Sequence, residues 1–305
     1  MATFTAEVFQ NEYLPEGATE VHAIVAVQCD GAGAAGQGGD AAEIVIIDSS
    51  GSMEHPTAKM RSARQAAKVA VDEILDGTWF AIIAGSNTAA LVYPENSSKG
   101  AMVRMTATAR GQAKRAIDRV RGSGGTAIGS WINAAIAVFQ SVPAAQRHAI
   151  LLTDGKNESE DPALLGHAID AARGVFQCDC RGVGQDWVVD ELRGISNALL
   201  GTVDLIAEPA HMEEDFERMM KVAMSRGIAD LKLRVWAPQG AEVLFVRQVA
   251  PTIEELTSRG VAISPLITEF PTGAWGDESR EYHALADEHQ RMAAQLERGP
   301  RRADE

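Results

Sequence analysis

The stretch EIVIIDSSGSMEHP, residues 43–56, places one carboxylate and two hydroxyls at alternate positions directly after an apolar run. Single residues separate Asp48, Ser50 and Ser52, and Gly51 lets the chain turn tightly between the two serines. Carboxylate and hydroxyl oxygens so arranged suit a hard divalent cation. A serine nucleophile, a helix cap and an ordinary turn use the same residue types. The remainder of the chain must decide between these interpretations.

Two further stretches carry side-chain oxygens next to glycines. GSGGTAIGS, residues 122–130, contains Thr126 after a glycine pair, and TDGKNES, residues 153–159, contains Asp154. Apolar runs before the first and third stretches predict buried strands, and in an open α/β sheet ligand sites lie at the carboxyl ends of the strands. We therefore expect the three stretches to form neighbouring loops at such strand ends.

The elements that must position these loops alternate from residue 41 onward between short apolar runs and segments with helical periodicity. This alternation predicts an α/β fold: an open, Rossmann-like, doubly wound and mostly parallel sheet of about six strands. In the helix after the first strand, apolar residues such as Met60, Ala63 and Ala67 form one stripe. Lys59 and its charged neighbours lie off that stripe, which predicts a solvated face.

The flanks of this α/β segment have a different pattern. Residues 21–29 are typical of a strand, and a Gly/Ala-rich linker follows them. ADLKLRVWAP and AEVLFVRQVAP, near residues 229–251, predict an antiparallel hairpin. We thus expect a domain at 41–226 inserted into a β-sandwich-like domain built from 1–40 and 227–280, with a helical, partly disordered tail at 281–305.

The bulk composition argues against several classes of function. A formal charge of -14 disfavours a nucleic-acid surface, because phosphate binding needs clustered Lys and Arg. The sequence has no run of about 20 apolar residues, so no membrane span is predicted. It also has no G-x-x-x-x-G-K-[ST] motif, so nucleotide binding is not predicted. Three cysteines predict no disulfide framework, and the start of the chain has no secretory signal pattern. The cysteines are expected to be small, buried and reduced, and the missing signal pattern predicts a cytoplasmic protein.

Together, D-x-S-x-S, a Thr after a Gly pair and L-L-T-D-G resemble the metal ion-dependent adhesion site (MIDAS) of von Willebrand factor type A (vWA) domains, over roughly residues 41–226. The flanking strands resemble, less specifically, those of bacterial proteins in which such a domain is set into a β-sandwich, so the expected type is bacterial and intracellular. The resemblance implies a bound Mg²⁺, with Mn²⁺ or Ca²⁺ as alternatives, and a partner protein that supplies a Glu or Asp to it. The hydroxyls would bind the cation directly and the aspartates largely through water. The implied metal residues are Asp48, Ser50, Ser52, Thr126 and Asp154, and the expected partner-binding rim is Glu54, Lys156 and Trp187.

Two alternatives to this non-catalytic binding module remain. One is a Mg²⁺-dependent phosphoaspartyl-type hydrolase that uses Asp48. Such enzymes, of the haloacid dehalogenase type, have a D-x-D motif at the first strand, whereas this chain has D-x-S. Ser50 occupies the position of the second carboxylate and cannot serve as a general acid or base at neutral pH. The other is an exported adhesin, which the missing signal disfavours. We therefore predict that the chain is not an enzyme.

Overall fold

The structure is a computed structural model, and it describes residues 2–11, 13–32, 41–95, 101–183, 189–206, 208–228, 231–250 and 253–287. The chain divides into two compact units, of which one is Gly33–Ala229. The other combines Met1–Ala32 with Asp230–Glu305. We call the first unit the α/β domain and the second the antiparallel domain.

The first and last elements of the described chain are strands, and all six of its α-helices lie between the third and the tenth strand. The strands are β1 (Thr3–Gln10), β2 (Glu20–Asp30), β3 (Ala41–Asp48), β4 (Trp79–Gly85), β5 (Ala89–Tyr93), β6 (Val103–Arg104), β7 (Gln146–Thr153), β8 (Gln177–Val183), β9 (Val203–Ile206), β10 (Lys232–Trp236), β11 (Glu242–Ala250), β12 (Glu254–Glu255), β13 (Val261–Ser264), β14 (Ile267–Pro271) and β15 (Glu278–Asp287). The α-helices are α1 (Thr57–Glu73), α2 (Ala107–Ile117), α3 (Ile128–Gln140), α4 (Pro162–Ala172), α5 (Val189–Ala198) and α6 (Met212–Ser225), and short 3-10 helices cover Gly51–Glu54, Pro209–His211 and Thr257–Arg259. None of these helices is long and apolar enough to cross a membrane.

The α/β domain confirms the predicted mixed α/β fold with a mostly parallel sheet. Its strand order is β5-β4-β3-β7-β8-β9, with β6 also paired to β4. The pairs from β4 through β9 along this order are parallel, and only β5 and β6 pair antiparallel to β4. The strand β3 lies between β4 and β7, so its carboxyl end is surrounded by the ends of two parallel neighbours.

Alternation along β3 explains why helices cover both faces of the sheet. Val45 and Ile47 join an apolar cluster with residues of α1, α2 and α6, whereas Ile44 and Ile46 join a second cluster with residues of α3, α4 and α5. Every residue of β3 is buried. A strand that is apolar on both faces is typical of the centre of a parallel sheet, and this burial fixes the position of the loop that follows it.

The antiparallel domain contains a five-stranded sheet in the order β1-β2-β15-β11-β12 and a three-stranded sheet in the order β10-β14-β13. Strand β2 pairs with both β1 and β15, so segments from both ends of the chain share one sheet. The predicted hairpin between the segments of β10 and β11 is wrong. Although Gly240 turns the chain between them with φ of 90°, β10 pairs with β14 and β11 pairs with β15. A turn signal locates the bend but does not choose the partner strand.

The prediction of helix from residue 281 is also wrong over the described part of that segment. Glu278–Asp287 forms β15, which lies between β2 and β11 in the five-stranded sheet. Tyr282 is fully buried there, and strand pairing on both edges outweighs the helical propensity of the sequence. Residues 288–305 of the predicted tail lie outside the described residues.

Candidate metal site

Asp48 ends β3 with its carboxylate held on both oxygens. Its Oδ1 accepts a hydrogen bond from the Ser50 amide at 2.7 Å, and its Oδ2 accepts one from Thr153 Oγ1 at 2.5 Å. The carboxylate is fully buried. Asp48 therefore shapes the turn after β3 and joins it to the end of β7, and both of its oxygens face protein donors.

The hydroxyls of Ser50 and Ser52 lie next to each other in the turn after β3. Ser50 Oγ is 2.9 Å from Ser52 Oγ, and Ser52 Oγ donates to Asp154 Oδ1 at 2.7 Å. Neighbouring ligands of an octahedral Mg²⁺ with oxygens at about 2.0–2.1 Å lie about 2.9 Å apart. The two serine oxygens are hydrogen-bonded to each other, and their separation also matches one edge of such an octahedron. Donation of the Ser52 proton to Asp154 leaves lone pairs of the hydroxyl for a cation.

Thr126 reaches the same place from another part of the chain. A Cβ added to Gly155 would lie 3.3 Å from Thr126 Oγ1 and 3.7 Å from Ser52 Oγ, so both hydroxyls border the space beside this glycine. Thr126 is buried, whereas Ser52 is exposed. The structure therefore brings the predicted residues Asp48, Ser50, Ser52, Thr126 and Asp154 to one location that solvent reaches on the Ser52 side.

The loop that carries Thr126 differs from the expected arrangement. It connects α2 to α3 and does not follow a strand. Backbone hydrogen bonds attach it to the true strand-end loops: Gly51 N donates to Gly124 O at 2.9 Å, Ser123 N to Ser49 O at 2.7 Å and Ala127 N to Ser86 O at 3.0 Å. Gly124 adopts φ of 78°, and a Cβ there would lie 2.3 Å from Asn87 Oδ1, which explains its identity.

The first turn of α3 is satisfied by side chains that no motif in the sequence singles out. Ser159 Oγ accepts from Thr126 N at 3.0 Å, Asn157 Oδ1 from Ile128 N at 2.8 Å and Glu160 Oε1 from Gly129 N at 2.5 Å. These groups occupy the amide donors that a helix start leaves unpaired. They fix Thr126 relative to Asp154, because they belong to the same loop after β7 as Asp154 does. The residue types in this loop do not indicate that it caps α3 rather than α4, the next helix in the chain.

The three expected rim residues do not share one environment in the structure. Glu54 is half-buried and accepts from Gly122 N at 2.8 Å, with Arg64 Nη2 3.7 Å from the same carboxylate oxygen, so it attaches the Thr126 loop to the turn after β3. Lys156 is exposed beside Gly155. Trp187 lies outside the described residues.

Lys59, which we expected on a solvated face, is a buried neighbour of the site. It is only 8% exposed, and its Nζ lies 2.7 Å from Asp154 Oδ2. With Ser52 on Oδ1, both oxygens of Asp154 are engaged, as are those of Asp48. The expectation is wrong because periodicity does not show that the first turn of α1 faces the end of β7.

Burial dominates the electrostatics of the carboxylate at the end of β3. It raises the pKa of Asp48 above its usual value, although hydrogen bonds from Ser50 and Thr153 act in the opposite direction. The negative charge of Asp154 adds to the increase. Among the described residues, no group of three or more His, Cys, Asp or Glu could hold a metal ion. The oxygen donors that the described residues bring together here are the hydroxyls of Ser50, Ser52 and Thr126 and the carboxylates of Asp48 and Asp154.

A second ionic group lies near the amino ends of the same strands. His148 Nδ1 is 2.7 Å from Glu43 Oε1, and His148 Nε2 is 3.1 Å from Asp179 Oδ2. Burial acts to lower the pKa of His148, but the charge of Glu43 and the hydrogen bonds to both carboxylates raise it to about 10. Burial acts to raise the pKa of Asp179, yet His148, Arg226 and Arg181 hold it well below its usual range. Burial also raises the pKa of Glu43, against the charge and hydrogen bond of His148. Through its two contacts the His148 ring joins β3, β7 and β8.

The fold and these loops define an open α/β domain with a polar site at the carboxyl end of its central strands. The family model described as von Willebrand factor type A domain matches residues 44–156, which span β3 through the Asp154 loop. The chain belongs to the von Willebrand factor type A family through this domain.

Solved structures with the same fold include two that cover nearly all of the chain. A von Willebrand factor type A protein from Catenulispora acidiphila is 45% identical with a TM-score of 0.87; the match covers 93% of this chain and 65% of that one. This chain therefore spans slightly less than two thirds of that relative. The ArnB paralog VWA2 from Sulfolobus acidocaldarius is 17% identical with a TM-score of 0.57. That match covers 94% of this chain and 66% of the paralog, and it shows a shared fold. The comparison with curated proteins gave no match.

Proposed function

We propose that the vWA domain is a non-catalytic protein-binding module that depends on a divalent cation, with Mg²⁺ as the preferred ion and Mn²⁺ or Ca²⁺ as alternatives. The observation that carries this proposal is the 2.9 Å separation of Ser50 Oγ and Ser52 Oγ beside Thr126 Oγ1 and two fully buried aspartates. Three neutral hydroxyls and two carboxylates are oxygen donors of the type that Mg²⁺ prefers. The residues present therefore fit the ion.

Each side chain has a role that follows from its contacts. Ser50, Ser52 and Thr126 supply hydroxyl oxygens to the cation. Asp154 orients the Ser52 hydroxyl through the 2.7 Å hydrogen bond, and Asp48 fixes the Ser50 amide. A cation held mainly by neutral oxygens supplies a Lewis-acidic position for an anionic ligand. We propose that a Glu or Asp of a partner protein occupies that position.

The exposed surface around Ser52 is consistent with an acidic partner. Lys156 is exposed next to Gly155, and His55 is exposed at the end of the turn after β3. Lys156 would attract a carboxylate to the rim, although an exposed charge contributes less than about 1 kcal/mol by itself. We propose Lys156 as a rim residue and assign Glu54 to holding the Thr126 loop.

The cation requirement is tested by isothermal titration of Mg²⁺ and Mn²⁺ into the wild-type protein and two variants. Ser52→Ala is expected to weaken binding by more than about tenfold, since it removes a ligand and unpairs Asp154 Oδ1. Ser141→Ala, at the exposed end of α3, is the matched control and should bind like the wild type. Equal binding by all three proteins would refute the assignment.

The partner chemistry is tested with two immobilised peptide libraries that differ only in a central Glu or Gln. We expect Mg²⁺-dependent retention on the Glu library, release by EDTA and no retention on the Gln library. Retention that is the same for Glu and Gln, or insensitive to EDTA, would contradict a carboxylate bound at the cation.

The proposal of a non-catalytic role has its own support and test. A phosphoaspartyl mechanism would need an accessible Asp48 carboxylate, but this group is fully buried and hydrogen-bonded on both oxygens. We expect no Mg²⁺-dependent hydrolysis of p-nitrophenyl phosphate. Turnover by the wild type that disappears in Asp48→Asn would overturn this part of the proposal.

We also propose a cytoplasmic location. Cys29, Cys178 and Cys180 are buried free thiols, which suits a reducing compartment. Fractionation of cells that express the native protein tests this, and recovery in the exported or surface fraction would contradict it.

A further inference from the structure

Lys59 breaks a rule of helix electrostatics at the edge of the metal site. It is the third residue of α1, where the helix dipole favours acidic side chains, and the first turn of α1 contains none. Its side chain is nearly buried and ends 2.7 Å from Asp154 Oδ2. Burying an ammonium is costly unless it is paired and hydrogen-bonded, and Asp154 supplies that partner. The charge of Lys59 therefore acts directly on one of the carboxylates of the site.

The charge balance of the site shows what that action is. Asp48 and Asp154 carry two negative charges, which a divalent cation alone would neutralise. With the ammonium of Lys59 included, the site carries one net negative charge before the cation binds and one net positive charge afterwards. The residual positive charge would favour a partner's carboxylate.

We propose that Lys59 is a built-in counter-cation of this site: it holds and neutralises Asp154 in the metal-free protein, and by its charge it weakens divalent-cation binding while leaving the bound ion more attractive to an acidic ligand. This inference rests on the proposed function, since it concerns the same cation. It goes further because it assigns to Lys59, which does not bind the cation, an effect on the affinity of the site for that cation.

A purely structural role for Lys59 makes the opposite prediction. If the ammonium only attached α1 to the loop after β7, its loss would loosen Asp154 and Ser52, and cation binding would weaken. If it acts as a counter-cation, its loss removes repulsion and binding becomes tighter. The sign of the change in affinity therefore separates the two roles.

The experiment measures Mn²⁺ affinity and thermal stability for the full chain and four variants. Lys59→Gln keeps a hydrogen-bond donor without the charge, and Lys59→Met removes both. Lys59→Arg keeps the charge. Lys68→Met is the matched control, because Lys68 is in the same helix and pairs with Asp118 at a more exposed position.

We expect Lys59→Gln and Lys59→Met to bind Mn²⁺ at least about tenfold more tightly than the wild type. Lys59→Arg and Lys68→Met should stay within about twofold of it. Without metal, Lys59→Gln should unfold at a lower temperature than the wild type and recover most of the loss in Mn²⁺. If Lys59→Met does not fold, Lys59→Gln and Lys59→Arg still give the sign of the charge effect.

Unchanged or weaker Mn²⁺ binding by Lys59→Gln, with a wild type that binds, would overturn this inference and leave the proposed function intact. Absence of binding by the wild type and by all variants would overturn both.

Discussion

Raising the pH from about 7.5 to about 9.5 is expected to destabilise the α/β domain by about 3 kcal/mol through one group, His148. Its imidazole lies between the carboxylates of Glu43 and Asp179, and its pKa in the folded protein is raised to about 10. In the unfolded chain a histidine titrates near a pKa of about 6.5. The folded protein therefore retains a proton that the unfolded chain has lost over this interval.

The sign and the size follow from proton linkage. A raised pKa gives stability that is fully present below about pH 6.5 and is lost as the pH rises through about 10. Between these limits the folded state binds one more proton than the unfolded state, so the free energy of unfolding falls by about 1.4 kcal/mol per pH unit. A rise of about two pH units then corresponds to about 3 kcal/mol.

Urea unfolding at a series of pH values measures this slope, and NMR of the imidazole reports the protonation of His148 directly. The double variant Glu43→Gln/His148→Gln replaces the ion pair by neutral amides and should lack the His148 contribution to the slope. The single variant His167→Gln, which changes an exposed histidine of α4, is the control and should unfold like the wild type. Equal slopes for the double variant and the wild type, or a neutral His148 imidazole at about pH 8, would refute the reasoning.

Three further predictions concern the site and its support. Thr153→Val removes the hydroxyl that donates to Asp48 Oδ2, so Mn²⁺ binding measured by calorimetry should weaken by about tenfold to hundredfold; binding within about twofold of the wild type would contradict the orienting role. Gly124→Ala places a methyl 2.3 Å from Asn87 Oδ1 at positive φ and should cost about 1–3 kcal/mol in urea unfolding, whereas Gly166→Ala, with open space in α4, should stabilise by about 0.5–1 kcal/mol. Trp131→Ala should cost about 3–5 kcal/mol because the ring is fully buried between α3 and the sheet, and a loss below about 1 kcal/mol would contradict its place in the core.

The α/β domain was predictable because its sequence signals are local and repeated. The run EIVII is apolar on both faces, which is typical of a central parallel strand, and β3 occupies that place. Loops that follow neighbouring parallel strands must meet at one edge, so the sequence alone was enough to place Asp48 and Asp154 together.

The wrong predictions concern strand pairing, which no local sequence pattern determines. The turn near Gly240 predicts a bend, but the partners of β10 and β11 come from residues 267–271 and 278–287. The helical propensity after residue 281 is outweighed by pairing with β2 on one side and β11 on the other. Such long-range pairings are decided by tertiary contacts.

The site shows the same limit on a smaller scale. Its oxygen-bearing side chains were recognisable from type and spacing, whereas Lys59 was not, since its contact with Asp154 depends on how α1 begins after Pro56. The Thr126 loop was expected at a strand end and instead joins two helices, held in place by backbone bonds to residues 49, 51 and 86. Periodicity describes the faces of an element but not what its ends contact.

The most direct test of the central claim is an anomalous difference map from crystals soaked in Mn²⁺. We predict one strong peak within about 2.3 Å of both Ser50 Oγ and Ser52 Oγ, next to Thr126, with Lys59 still in contact with Asp154. A site left without a peak while no crystal contact blocks it, or a peak bound elsewhere on the α/β domain, would contradict the account.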